Sequence, residues 1–421
     1  MYEETVFENG VRLLTVMRPH AYSVAFGVWI GVGSRYESDE LAGASHFIEH
    51  MLFKGTSRRP TAREVALAIE GLGGICNAST SREVTTYWAK VGRVHLPQAA
   101  DTIFDMLRHS LFEPGEVEKE RQVITEEINE SLDLPDELVY LQLHELLWPH
   151  HPLGRDIAGS RESLATLSRE MLLEYMNRHY SPSTTIVAVA GAVSHAAVRA
   201  LIAPFLEEWP APPAPAFLPA EPRRGPKAAA LAREIEQAHF CLGVRTFNRS
   251  HPDRYALSLL NAILGDGMSS RLFVELRERL GLAYNIYSSV DLLRDTGSFV
   301  VYAGVAPEKL TAAVRAVLAE WDRMRQEEVA PGELQVAKEY VKGHLLLRLE
   351  DTAANASWVG NQAAMGVEVK SPEEVIGAVD AVTAADIQRV ARELLAEEQV
   401  VLSVVGPVDP EADWTALLRF A

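Results

Sequence analysis

The chain repeats itself. A helix-like segment, Thr166–Met176, leads into the apolar run Thr185–Gly191, and the same order returns at Val382–Arg392 and Val400–Gly406. In both copies apolar residues recur at helical spacing, Ser168 or Thr383 stands where an N-cap belongs, and the run that follows reads as a strand ending at glycine. Such a duplication restricts the fold to two homologous domains. Between the copies, Trp209–Pro226 carries too many prolines to continue a helix or to pair in the centre of a sheet. The expected division is therefore 1–208, an extended linker over 209–226, and 227–421.

Each half also opens with strand-like runs, Arg12–Met17 and Ser23–Val32 in the first, Ala229–Ile235 and His239–Val244 in the second. Helices follow, then further strands at Ile75–Val91, Tyr284–Val290 and Gly297–Ala303. Strands interleaved with helical hairpins predict an α+β fold, each domain a mostly antiparallel sheet covered by helices on one side.

Chemistry concentrates at His46-Phe47-Ile48-Glu49-His50. On a helix each residue turns by about 100°, so His46 and His50 share one face with Glu49 beside them. A catalytic zinc takes three protein ligands and keeps a fourth position for water, and a neighbouring carboxylate can act as general base for that water. Glu49 fits the base. The third ligand belongs on a separate element, and Glu116–Glu130 is the candidate helix. With Val117, Ile124 and Ile128 as its apolar stripe, Glu126 faces away, whereas Glu120 and Glu127 lie two turns apart along the stripe's edge, beside Val123. A half-buried carboxylate needs a cation or donors to offset its desolvation. Glu127 is assigned as the ligand and Glu120 as its neighbour, holding geometry and electrostatics. The rival cluster His144, His150 and His151 lacks a paired catalytic carboxylate at ligand spacing, and Pro149 and Pro152 break its helix.

These residues resemble the pitrilysin-type inverzincins, which include insulin-degrading enzymes, mitochondrial processing peptidases and small bacterial processing-peptidase-like proteins. In that family a gap of about 76 residues separates the inverted motif from the glutamate that completes the zinc site, and here the count from His50 lands on Glu127. A glutamate seven residues earlier matches Glu120, and the flanks Gly33–Glu37 and Met51–Thr56 fit as well. The resemblance spans essentially the whole chain. It implies a zinc-dependent endopeptidase with one Zn²⁺ per chain, held by His46, His50 and Glu127. The second half has Ala256–Gly265 in place of the zinc helix, so only the first half can hold metal.

The resemblance further implies that Arg277 and Tyr284, seven residues apart, act from the second half, the phenol donating to the oxyanion and the guanidinium holding substrate carbonyls. Arg271, Arg279 and Tyr287 answer the same description. Asn77 and Ala78 match the family's peptide-binding sheet edge, with Tyr87 near its end, although Asn77 also suits a turn and Tyr87 a core. Larger relatives place four such domains in one chain. Two here imply a homodimer whose sites combine the zinc of one subunit with Arg277 and Tyr284 of the other. Some relatives are instead non-catalytic scaffold subunits, but this chain retains every ligand position.

The remaining composition narrows the setting. A net charge of −18 disfavours nucleic acid as a partner, and no apolar run is long enough to span a bilayer. Two cysteines, Cys76 and Cys241, assigned to different domains, point to a reducing compartment, and with no signal peptide evident the expected location is the cytoplasm.

Overall fold

The computed structural model describes residues 2–207, 209–222 and 227–420. Eleven strands among them form two sheets. In the first half these are β1 (Tyr2–Val6), β2 (Arg12–Met17), β3 (Ser23–Ile30), β4 (Ile75–Thr80), β5 (Thr85–Gly92) and β6 (Thr185–Gly191), arranged β1-β2-β6-β3-β5-β4. In the second they are β7 (Ala228–Ala232), β8 (Ala238–Thr246), β9 (Ala283–Leu292), β10 (Gly297–Val305) and β11 (Val401–Gly406), arranged β7-β11-β8-β10-β9. All pairings are antiparallel except β2 with β6 and β7 with β11. The repeated helix and strand occupy equivalent places, with β6 and β11 each closing a parallel pair inside its sheet. Ser168 and Thr383 cap their helices, accepting from the N–H of Met171 and Asp386 at 3.2 Å.

The main helical layer of the first sheet lies on one side. Successive side chains of β3 point to opposite faces, so Phe26 meets Phe104 of helix Leu96–His109 while Ala25 and Trp29 face the other way. That other face takes one helix, Thr352–Ala364, which comes from the second half of the chain. Trp29 fixes it. The indole donates to Asn361 at 2.9 Å, and its ring lies so close to Gly360 that a Cβ there would come within 2.6 Å. The second sheet receives the reciprocal loan: helix Pro135–Leu147 from the first half packs Leu138, Leu143 and Leu146 against Cys241, Val300, Val401 and Val405. The opposite face of that sheet, with Phe240, Leu242, Phe299 and Val301, carries the larger apolar core.

By contacts the chain divides into one unit of Met1–Ile128, Asp156–Leu218 and Leu347–Ser371, and another of Asn129–Arg155, Pro219–Leu346 and Pro372–Ala421. The exchanged helices are the reason: an apolar face is buried where a sheet can cover it, whichever half encodes it.

Residues 209–222 of the proline-rich segment form neither helix nor strand, as expected, and 223–226 lie outside the described residues. The segment is nonetheless docked. In the first unit Arg35, only 1% exposed, pairs with Glu83 at 2.6 Å, stacks on Phe217 and donates to the carbonyl of Leu218 at 2.9 Å. In the second, Asp295 accepts from the N–H of Ala220 at 2.9 Å. No helix among the described residues is long and apolar enough to cross a membrane. Burial pushes the Cys76 thiol up to about 12, with Glu70 adding to the effect, and both cysteines are free.

Candidate metal centre

The motif does form a helix, Ala44–Leu52, and its start is unusual. Gly43 takes the cap position at φ 93°, where a side chain would strike the carbonyl of Ala158, and so no cap side chain is available. Glu37 replaces it. Its buried carboxylate accepts from the N–H groups of Gly43 at 2.8 Å and Ser45 at 2.7 Å, placing negative charge at the positive end of the helix.

One turn apart on this helix, the rings of His46 and His50 stand 4.6 Å apart between centroids. The helix expected at 116–130 runs from Pro114 to Asp133 and buries Val117, Glu120, Ile124 and Ile128, while Val123 is 44% exposed and lies off the stripe. It brings Oε2 of Glu127 to 3.8 Å from Nε2 of His46 and 3.5 Å from Nε2 of His50. Ligand atoms on a tetrahedral zinc are separated by about 3.4 Å, given bonds near 2.1 Å. The three groups, each offering one atom within 4.8 Å of the others, are the only such cluster among the described residues. Two imidazoles and one carboxylate suit zinc and leave a coordination position open.

Electrostatics agree with that role. Burial, reinforced by His50, holds the pKa of His46 down to about 4, so its ring is neutral near pH 7 and offers a lone pair. Nδ1 of His46 is buried, with no hydrogen-bond partner among the described residues. His50 differs: its Nδ1 lies 3.0 Å from Oε2 of Glu120, an acceptor that fixes the proton on Nδ1 and frees Nε2. Burial raises the pKa of Glu49 above the usual carboxylate range, although a hydrogen bond from the Thr80 hydroxyl at 2.5 Å opposes the shift. A raised carboxylate is the better proton acceptor.

β4 is an edge strand, as a peptide-binding role requires, with Asn77 exposed and Ala78 half-buried. Oδ1 of Asn77 accepts from the N–H of Ala78 at 2.8 Å, so the side chain holds a donor that an added strand would use. Tyr87 is not at the edge. It is fully buried on β5, its hydroxyl 3.0 Å from that of Tyr180, because its side chain points into the helix-covered face. The core reading of Tyr87 is the one the structure bears out.

In the second unit Arg277 lies between two rings, 4.8 Å from the centroid of Phe273 and 4.5 Å from that of Tyr284, and donates to the Tyr284 carbonyl at 3.0 Å. Tyr284 is 76% exposed. Both line a cavity of about 430 Å³ with Gln237 and Lys309. The competing arginines are engaged elsewhere, Arg271 with Glu333 and Arg279 with Glu275. Helix Arg254–Leu264, the counterpart of the metal helix, buries Leu257, Leu260 and Ile263 and offers no ligand. Of the rival histidines, His144 stacks on Trp148, and Nδ1 of His151 accepts from Leu153 at 3.1 Å to cap a short turn. The roles of Glu37, which closes the flank Gly33–Glu37, and of Thr80 were not legible in sequence, since each acts on the motif across a loop or strand where no periodicity marks it.

Comparison with known proteins gives a consistent picture. The family described as Insulinase (Peptidase family M16) matches residues 12–161, and that described as Peptidase M16 inactive domain matches 166–341. An uncharacterized zinc protease of Bacillus subtilis is 36% identical over 97% of this chain and 98% of its own. A probable mitochondrial-processing peptidase subunit beta of Arabidopsis thaliana is 32% identical over 99% of this chain and 80% of its own. A solved protease structure from Helicobacter pylori superposes with a TM-score of 0.90 at 23% identity, covering 97% of this chain and 99% of the other.

Proposed function

Because the chain belongs to peptidase family M16, we propose that it is a zinc-dependent endopeptidase acting on peptides or unfolded polypeptide segments. The observation that carries this reading is the convergence of His46, His50 and Glu127 from two helices, with Glu49 on the same helix as the histidines. Zinc bound there would act as a Lewis acid and bring the pKa of water toward neutrality. The protein's own residues then handle protons and position. Glu49 takes the proton of the attacking water and returns it to the leaving amine, with the Thr80 hydroxyl keeping its carboxylate aimed. An extended substrate adds to the β4 edge through backbone hydrogen bonds, for which Asn77 must release the N–H of Ala78.

Removing the metal with a chelator should abolish cleavage of a peptide library, and stoichiometric zinc should restore it. A chain that holds zinc yet cleaves no member of a broad library would favour the scaffold reading.

Arg277 and Tyr284 complete the site from the second half of a partner copy, with Tyr284 donating to the oxyanion on the substrate carbonyl. Both half-sites occur in every chain, which supports a homodimer with two composite sites. Mixing Glu49→Gln with Tyr284→Phe subunits is expected to recover about a quarter of wild-type activity, because half the dimers regain one site of two. No recovery in proven mixed dimers would refute the sharing.

A further inference from the structure

We infer that Lys54 is a positioning residue of the metal site, acting through Glu120 on His50. The inference rests on the zinc reading above and extends it to a residue with no ligand role. Glu120 is 4% exposed, so its carboxylate depends on protein groups for compensation. Its two oxygens are divided: Oε2 faces Nδ1 of His50 at 3.0 Å, and Oε1 takes the ammonium of Lys54 at 2.5 Å. One oxygen held by a cation fixes the rotation of the carboxylate. The other is thereby aimed at the imidazole, whose Nε2 faces Glu127.

Lys54 can do this because the chain after the helix is pinned. The N–H of Lys54 bonds to the carbonyl of Met51 at 3.1 Å. Gly55 follows at φ 131°, where a Cβ would come 2.4 Å from the carbonyl of Pro60. Next, the buried Thr56 hydroxyl donates to Asp105 at 2.6 Å. The ammonium is thus delivered from a fixed turn, one helical turn beyond His50. The asymmetry between the two histidines makes Lys54 consequential. Among the described residues His46 has no partner on Nδ1, so the outer support they give the imidazole pair passes through Glu120.

The test is zinc affinity by competition with a chromogenic chelator, together with the visible absorption of the Co²⁺-substituted protein. Lys54→Met should weaken zinc binding by about 10–100-fold, the range for lost outer partners, and alter the Co²⁺ bands. Lys54→Arg should restore much of the affinity. Arg58→Met, a change on the same loop as Lys54 that breaks an exposed ion pair with Asp101 of helix Leu96–His109, should leave it unchanged. Combining Lys54→Met with Glu120→Gln should cost no more than Glu120→Gln alone, since one path is cut twice. Wild-type affinity in Lys54→Met, or effects that add in the double variant, would overturn the inference. A wild-type protein that takes up no zinc would instead sink the metal reading itself, and this inference with it.

Discussion

Glu49→Gln is expected to lower kcat by about 10²–10⁴-fold, the usual worth of a general base, with little change in KM and with zinc still bound at one per chain. The glutamine keeps the volume of the side chain and an oxygen for the Thr80 hydroxyl, so the local packing survives. What it loses is basicity. The cluster of ligand atoms comprises His46, His50 and Glu127 without Glu49, and the metal should therefore be indifferent to the change. Metal analysis beside peptide hydrolysis separates the two roles. Substantial turnover by a zinc-replete Glu49→Gln protein would remove Glu49 from the chemistry.

The proposed ligands, and Glu120 beside them, were legible in sequence because each rule that places them is local. His46 and His50 are fixed by one turn of one helix, and Glu120 and Glu127 by two turns of another, so burial could be read from the stripe Val117, Ile124 and Ile128. The duplicated helix and strand, with caps at Ser168 and Thr383, were legible for the same reason. The exchange of helices was not. Nothing in Thr352–Ala364 states which sheet its apolar face will meet; that is decided by the fit of Gly360 beneath Trp29, some 330 positions away in the chain. Tyr87 shows the limit of single-strand reasoning. The expected strand Ile75–Val91 is a hairpin, β4 and β5 joined through Ser81 and Val84, and only β4 lies at the edge. Tyr87 thus belongs to an interior strand, and its alternation turns it toward the core.

Glu127→Ala is expected to have the larger effect on the metal itself, weakening zinc by more than the 10–100-fold typical of outer partners and abolishing hydrolysis. Two imidazoles on one helix would remain, but without the carboxylate from the second helix the site loses its only anionic ligand. The loss should not be a folding defect. The Glu127 side chain is 43% exposed, so its removal opens no sealed cavity, and after burial, the main cause, its charge adds a smaller upward push to the pKa of Glu49, so the two carboxylates do not stabilise one another in the metal-free protein. The metal-free variant should therefore melt at or above the temperature of the metal-free wild type. Added zinc should separate them: a ligand that binds only the folded state raises the melting temperature of the wild type in proportion to the logarithm of its concentration, and that response should vanish in Glu127→Ala. Glu126→Ala, one residue away on the exposed face, serves as the control and should keep the response. Retention of the zinc-dependent shift in Glu127→Ala would mean that the third ligand lies elsewhere, and the site built on these two helices would have to be abandoned.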